Sequence, residues 1–306
     1  MSGSHRAEGA ESPDEFAWLP ENAVEAGVPV DQLPRVRRID AETPAGRLSA
    51  LRWGDVPPRI VMLHGGGQNA HTWDTVLVAL GVPALAVDLP GHGHSDWRPD
   101  KDYSPIANAV AVAAALDTWE VGRVPVVGMS LGGLTGIALA ARHPGAVDAL
   151  VVVDVTPSVL TRAAAMTSQQ KGTTTLVSGP SEFDSLEAMV DAAAAGAPQR
   201  PRASLRRGVV HNARQLPGGR WAWRYDRQTA SRELFEQLWQ DVSRIDVPVA
   251  LVRGGNSAHV SDEDAAEFAG RRPGLAVEVI DGAGHSVQSD RPRELATFLR
   301  AFLDLG

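Results

Sequence analysis

Two short segments of the 306-residue sequence carry residues whose types and spacing suit nucleophilic catalysis. Ser130 lies in GMSLGG, after an apolar stretch typical of a buried strand and before a glycine-rich helix start. Gly128 and Gly132 leave room for a strained turn that would present the serine hydroxyl above a sheet. His285, in the loop segment GAGHS, belongs to the residue type whose pKa, about 6.5, suits a general base. We therefore expect Ser130 to be a nucleophile and His285 its base.

A second glycine-rich loop, HGGGQ (64–68), follows an earlier apolar segment. A serine nucleophile that attacks a carbonyl needs N–H donors for the negative charge that develops on the carbonyl oxygen. The helix after the serine turn would aim the Leu131 N–H at this oxygen. The glycine loop would bring a second backbone N–H close to it, and Gly66 is our candidate. The sequence thus predicts an oxyanion hole formed by Gly66 and Leu131.

Short apolar segments recur along the chain and must position these residues. Six of them, rich in Val, Leu and Ile, are predicted strands: 59–65, 83–90, 124–130, 147–157, 247–255 and 275–281. Helix-like segments separate most of them, which indicates parallel strands covered on both faces. Before them, RVRRIDAE and GRLSALRWG alternate in polarity around a Pro-Ala-Gly turn and predict an antiparallel hairpin at a sheet edge. The fold class is therefore α/β, with a mostly parallel central sheet.

The long interval between the fourth and fifth strands divides the predicted core. Residues 158–242 contain helix-like stretches and a possible hairpin, RQLPGGRWAWRYD, and are too long for a plain linker. We predict an inserted cap domain at 158–242, with the core formed by 35–157 and 243–306. Residues 1–34 are predicted to be a leader and a short helix, and the first dozen residues to be a disordered polar segment.

Composition excludes several classes of function. The chain has no cysteine, so disulfides and thiolate chemistry are absent, and its net charge of -8 opposes a nucleic-acid-binding surface. No apolar run approaches the roughly 20 residues that span a bilayer, and the N-terminus lacks the apolar core of a signal peptide, which favours the cytoplasm. His64, His92 and His94 lie among strand-end glycines and are predicted to shape the site floor. No HExxH pattern occurs, so we expect no metal.

Four motifs in a fixed order carry a family resemblance. HGGGQ, DLPGHGHSD, GMSLGG and GAGHS follow one another, and over residues 35–305 the chain resembles α/β-hydrolases with a cap domain. HGGGQNAHTWDT, VVGMSLGGLT and GHSVQSD make it more closely similar to mycobacterial serine carboxylesterases of this fold. The resemblance implies hydrolysis of small-molecule esters through an acyl-enzyme, by a Ser-His-acid triad and without a cofactor. It gives no substrate and no oligomeric state.

The resemblance leaves the triad acid in question. Many α/β-hydrolases carry this acid after the strand that here precedes Asn256 and Ser257, two residues without a carboxylate. The next carboxylate downstream is Asp262. Ser261 and Asp264 have the spacing of an approximate capping box, so the acids beside them suit the first turn of a helix. Asp262 is accordingly interpreted as structural.

Asp154 is the favoured acid. It ends the apolar segment ALVVVD, which should lie beside the strand that leads to Ser130, and some hydrolases of this fold carry their acid there. A carboxylate at this point would accept the imidazole N–H of His285 and fix its tautomer. Asp262, a weak neutral partner in Asn256, and a site without an acid remain the alternatives.

Several functions would use the same residues. The favoured one is a serine esterase; thioester, lactone and carbon–carbon bond hydrolysis are related alternatives. A hydrolase-like receptor that binds without turnover and a protein-interaction scaffold are alternatives of another class. Trp221, Trp223 and Tyr225 alternate along the predicted hairpin and share one face, so they are candidates for lining the substrate entrance. The competing interpretation is that they pack the cap onto the core.

Overall fold

An eight-stranded sheet forms the centre of the protein. The computed structural model describes residues 14–226 and 232–306, without the side chains of residues 173 and 232–236. The predicted polar leader lies outside these residues. The first residue of the segment predicted to form a short helix lies outside them as well. The strands of the sheet are β1 (Val36–Thr43), β2 (Gly46–Trp53), β3 (Val61–Leu63), β4 (Ala84–Asp88), β5 (Val124–Met129), β6 (Val147–Val153), β10 (Val249–Gly254) and β11 (Ala276–Ile280). Their order in the sheet is β1-β2-β4-β3-β5-β6-β10-β11.

Helices follow most of the parallel strands. They are α1 (Leu19–Ala26), α2 (Asp74–Leu80), α3 (Pro105–Thr118), α4 (Leu131–Arg142), α5 (Val159–Ala165), α6 (Ser168–Lys171), α7 (Leu186–Gly196), α8 (Arg202–Asn212), α9 (Arg232–Val242), α10 (Asp262–Arg271), α11 (Val287–Asp290) and α12 (Pro292–Phe302). In the described ranges, no helix has both the length and the apolar character that crossing a bilayer requires.

Two apolar clusters, one on each face of the sheet, bury the central strands. On β3, Val61 and Leu63 belong to one cluster and Met62 to the other. On β5, Val126 and Val127 divide in the same way. A strand buried on both faces needs apolar residues at every position, which is why these segments read as continuous apolar runs. The predicted α/β class is confirmed, although each strand is shorter than its apolar segment.

The edge hairpin is also confirmed. β1 pairs antiparallel with β2, and β2 pairs antiparallel with β4, while β3, β4, β5, β6, β10 and β11 pair in parallel. β6 therefore lies between β5 and β10. Because parallel strands end at the same edge, the residues that follow β5, β6 and β10 meet there.

Residues 158–242 include a small sheet and an apolar cluster of their own. The three-stranded sheet has the order β7-β9-β8 and is formed by β7 (Glu182–Phe183), β8 (Ala213–Gln215) and β9 (Trp221–Trp223). β8 and β9 form the predicted hairpin. The cluster includes Met189 and Val190 of α7 and Leu205 and Val209 of α8. This arrangement is compatible with a cap, and its exact boundaries stay a prediction.

Candidate active site

Ser130 occupies a sharp turn between β5 and α4. Its φ of 50° and ψ of -115° are unfavourable for a residue with a Cβ, and its N–H donates to the Val153 carbonyl oxygen at 3.0 Å. A Cβ on Gly128 would lie 2.2 Å from the carbonyl oxygen of Gly132. One on Gly132 would lie 2.2 Å from that of Leu63. The turn therefore requires glycine on both sides of the serine, as the sequence pattern predicted.

Asp154 follows β6 and lies beside His285. The His285 Nδ1–H donates to Asp154 Oδ2 at 2.8 Å, and the aspartate is fully buried. The Gly254 N–H donates to Oδ1 at 2.9 Å, and the Ser257 hydroxyl donates to Oδ2. The carboxylate thus accepts three hydrogen bonds, which compensates for the burial of its charge. Because Nδ1 is the donor to the acid, Nε2 is the nitrogen left to serve as a base.

Ser130 and His285 line the same cavity. Within the described ranges the serine hydroxyl makes no hydrogen bond with the imidazole. Such bonds are often long in the absence of substrate and shorten when it binds, so the arrangement still suits a nucleophile and its base. The roles assigned to both residues stay predictions.

The alternative acids lie elsewhere. The Asp262 side chain is 92% exposed and accepts a hydrogen bond from Arg253 at 2.8 Å. It begins α10, where Ser261 and Asp264 form the capping box expected from the sequence. Asn256 is exposed, and its side chain has no hydrogen bond in the described part of the chain. Of these residues and Asp154, only Asp154 is bonded to His285.

Free backbone N–H groups are the requirement for an oxyanion hole. The Gly65 N–H donates to Gln68 Oε1 at 3.0 Å, and the Gly67 N–H donates to His92 Nε2 at 3.1 Å. The N–H groups of Gly66 and Leu131 have no acceptor among the described residues. These two are the pair predicted from the sequence, and both remain available for a developing oxyanion.

Two buried histidines hold the glycine loop in place. His64 donates from Nδ1 to the Gly65 carbonyl oxygen at 2.8 Å, and its Nε2 accepts a backbone N–H at 2.9 Å. His92 accepts the Gly67 N–H on Nε2 and donates from Nδ1 to a backbone carbonyl. Burial, and next the nearby His64, lower the pKa of His92 to about 3, so it stays neutral. Of the three histidines predicted to shape the site floor, His64 and His92 therefore contact the glycine loop, and the same role for His94 stays a prediction.

The cavity of about 190 Å³ lies between the core and residues 158–242. Trp223 and Tyr225 line it, as predicted, but Trp221 does not. Tyr225 forms a bridge to His92 of the core, and Trp221 lies four residues earlier, or about 13 Å along an extended chain. Trp221 therefore packs against the apolar cluster of its own small sheet. Trp221 is thus outside the cavity lining, and its place at the substrate entrance stays a prediction.

Part of the cavity lining is polar and includes His71, Asp74 and His211. His71 donates to Asp74 Oδ2 at 2.8 Å and to Glu15 Oε1 at 3.0 Å, and its ring stacks on His211 of α8 at 3.7 Å between centroids. Burial alone would lower the pKa of His71, but the hydrogen bonds and charges of Asp74 and Glu15 raise it to about 9. Burial and the charge of His71 lower the pKa of His211 to about 3. A charged and a neutral imidazole therefore lie face to face.

Two groups of side chains place at least three metal-ligating atoms within reach of one another in the described part of the chain. One is His71, Asp74 and His211, and the other is Asp154, His259 and His285. In each group the two imidazole rings are stacked at 12° between planes. The nitrogen lone pairs lie in the ring planes, so in nearly parallel rings they do not converge on one ion. Neither group fits a metal without rotation of a ring.

Fold and site together define an α/β-hydrolase. The sequence pattern of the Alpha/beta hydrolase family matches residues 60–298, and the chain belongs to this family. It is 53% identical to the esterase Rv0045c of Mycobacterium tuberculosis, over 95% of this chain and 96% of that protein. A solved structure of Rv0045c, described as a novel esterase, matches with a TM-score of 0.84 at 50% identity and covers 97% of this chain and all of that one. The 2-(acetamidomethylene)succinate hydrolase of Mesorhizobium japonicum is 27% identical over 88% of this chain and 95% of that protein.

Sequence reasoning missed several residues that touch the site. Ser257 and His259 contact Asp154 and His285, and Gln68 and Gln288 lie beside the glycine loop. Ser257 was noted only for lacking a carboxylate. Its proximity to Asp154 follows from the pairing of β6 with β10, which no local sequence pattern encodes.

Proposed function

We propose that the protein is a carboxylic ester hydrolase that uses Ser130 as nucleophile, His285 as base and Asp154 as the triad acid. The observation that carries this proposal is the hydrogen bond between His285 Nδ1 and the buried Asp154, in a cavity that also contains the strained Ser130 turn. The 53% identity to a protein named esterase supports the same reaction.

The reaction proceeds in two halves. Ser130 Oγ attacks the ester carbonyl carbon while His285 Nε2 takes the hydroxyl proton. The carbonyl oxygen becomes negative and accepts hydrogen bonds from the Gly66 and Leu131 N–H groups. Collapse expels the alcohol, which receives the proton from His285 and leaves an acyl-serine. A water molecule, deprotonated by His285, then releases the carboxylic acid and restores Ser130.

Asp154 acts through the imidazole. Its carboxylate fixes the tautomer in which Nδ1 carries the proton, and it stabilises the imidazolium that forms during each attack. The buried position and the three hydrogen bonds to the carboxylate keep it aligned. These steps need no cofactor, and a cytoplasmic enzyme acting on a small-molecule ester belongs to the same proposal.

Trp223 and Tyr225 are proposed to set substrate choice from the side of residues 158–242. They line a cavity of about 190 Å³, below the roughly 300–1,000 Å³ of sites for drug-sized ligands, which favours small esters. Thioester, lactone and carbon–carbon bond hydrolysis would use the same nucleophile and base. The comparison of oxygen ester, thioester and lactone substrates of equal acyl length separates these reactions.

The test is pre-steady-state kinetics on nitrophenyl esters of increasing acyl length. The wild-type enzyme is expected to release a burst of nitrophenol equal to the enzyme concentration and to react with a fluorophosphonate. Ser130→Ala is expected to lose both, because no other group forms the acyl-enzyme. The matched control is Ser243→Ala, which removes an exposed hydroxyl at the end of α9, outside the cavity. Absence of burst and labelling in the wild-type protein would favour a binding protein instead.

A further inference from the structure

The loop after β10 touches the proposed acid directly. The Ser257 hydroxyl donates to Asp154 Oδ2, the same oxygen that accepts the His285 Nδ1–H. The Ser257 oxygen in turn accepts the backbone N–H of His259 at 3.2 Å. The hydroxyl is therefore held from behind, and its proton is directed at the carboxylate.

His259 lies flat against His285. The ring centroids are 3.5 Å apart and the planes are 12° apart, and His259 is 4% exposed. Its Nδ1 is 3.4 Å from Ser257 Oγ, which fits a tautomer with the proton on Nδ1. Burial, and next the charge of His285, lower the pKa of His259 to about 3, so the ring stays neutral at neutral pH.

We propose that Ser257 and His259 are positioning residues for the Asp154–His285 pair, a role that rests on the proposed function. Ser257 fixes the rotation of the carboxylate, and His259 fixes the plane of the imidazole. They lie in the loop where many α/β-hydrolases carry the acid, and here they support an acid that comes from the end of β6 instead.

The physical need for both contacts follows from the freedom of the two side chains. A carboxylate bonded only to Gly254 and His285 can rock about its last bond, and each tilt misdirects the imidazole. The imidazole can also swing about its Cβ–Cγ bond, since a single Nδ1 hydrogen bond leaves that motion open. A ring stacked on one face blocks the swing and excludes water from that face.

The positioning role has a signature in the pH profile of kcat/KM. Without the Ser257 hydroxyl, the Asp154 charge is compensated less and stabilises the imidazolium more, so the acid limb moves to higher pH. Without the His259 ring, water solvates the imidazolium, and the limb moves in the same direction. Asp290 forms an ion pair with Arg200 and accepts the backbone N–H of Gly284, the residue before His285. Neither substitution is expected to change this ion pair.

The first experiment is a double-mutant cycle on an activated ester. Ser257→Ala is expected to lower kcat about tenfold with KM within about twofold and to move the acid limb upward. Ser257→Thr, which keeps a hydroxyl, is expected to restore most of kcat. In an Asp154→Asn background, Ser257→Ala is expected to add less than about twofold, because its partner charge is gone.

The matched control is Ser261→Ala in the same loop. Ser261 caps α10 and bonds to Arg162, so this change lowers stability but leaves the pH profile of kcat/KM unchanged. For the ring, His259→Ala is expected to lower kcat more than His259→Phe, since phenylalanine keeps a flat face against His285.

Two outcomes would overturn the proposal. One is a Ser257→Ala enzyme whose kcat and pH profile equal those of the wild type while Ser130→Ala and Asp154→Asn are inactive, a result that leaves the proposed function intact. The other is an additive effect of Ser257→Ala in the Asp154→Asn background, which would indicate a purely structural role. Failure of the proposed function itself is seen earlier, as the missing burst in the wild-type protein.

Discussion

At the scale of single residues, Asp154 is a buried carboxylate that is surrounded by hydrogen-bond donors. Three hydrogen bonds reach its two oxygens, from Gly254, Ser257 and His285. A buried carboxylate without such partners would be strongly destabilising, whereas a carboxylate with three donors has a fixed orientation. The same property makes its hydrogen bond to the imidazole directional.

The corresponding prediction concerns the choice between the two acids. Asp154→Asn is expected to lower kcat by about three to four orders of magnitude, because an amide disfavours the required imidazole tautomer and does not stabilise the imidazolium. Asp262→Asn is expected to change kcat by less than about twofold, since that side chain is 92% exposed and bonded to Arg253. Steady-state kinetics of both variants on one ester decide between them. The reverse ranking would remove Asp154 from the triad.

At the scale of elements, the turn between β5 and α4 depends on how closely the backbones approach. A Cβ on Gly132 would lie 2.2 Å from the carbonyl oxygen of Leu63 in β3, and backbone atoms in a central strand have little room to move. A Cβ on Gly133 would likewise lie 2.8 Å from the Val155 side chain. The glycines therefore let α4 approach the sheet, in addition to shaping the serine turn.

We accordingly expect Gly132→Ala to destabilise the fold. Overpacking against backbone atoms is expected to lower the free energy of unfolding by about 3 kcal/mol or more. Gly122→Ala is the matched control, because a Cβ there would meet nothing within 4 Å. Urea unfolding of both variants provides the measurement. Equal midpoints would show that the sheet and α4 relax more easily than this geometry implies.

At the scale of the whole molecule, ion pairs connect the N-terminal segment, the core and residues 158–242. Arg207 of α8 pairs with Glu21 and Glu25 of α1, and its guanidinium is largely buried. His71 of the core bonds to Glu15 and stacks on His211 of α8. The first described residues therefore help to hold α8 over the cavity.

This network predicts a dependence of stability on pH. The pKa of His71 is raised to about 9 in the folded protein, against about 6.5 in an unfolded chain. The charged His71 therefore contributes on the order of 3 kcal/mol to the free energy of unfolding. This contribution is fully present below about pH 6.5 and is lost as the pH rises through about 9. His71→Gln is expected to reduce the free energy of unfolding much more at pH 6 than at pH 10.

Chemical denaturation at the two pH values tests this expectation. His143→Gln is the matched control, because no carboxylate is bonded to the His143 ring among the described residues. An equal loss for His71→Gln at pH 6 and pH 10 would mean that the imidazole is not held in its charged form.

The fold class and the reactive side chains could be predicted from the sequence, but several contacts of these side chains could not. Strands buried on both faces and the glycines around Ser130 leave patterns that are local in the chain, and the predicted α/β class is confirmed by the structure and the family match. The contacts of Ser257 and His259 depend on pairing between distant strands, which no local pattern encodes. Trp221 shares a face with Trp223 and Tyr225 but does not line the cavity, because alternation gives the face of a strand and not the distance along it.

The backbone angle of Ser130 has a consequence for selection. A left-handed conformation at a residue with a Cβ costs about 1–3 kcal/mol, and glycine relieves it apart from its larger entropy in the unfolded chain. Ser130→Gly should therefore melt at a higher temperature than Ser130→Ala, with a net gain of about 1 kcal/mol, although both lack the nucleophile. A library screened only for heat resistance would enrich glycine at this position and discard catalysis, so stability and activity have to be selected together in this protein.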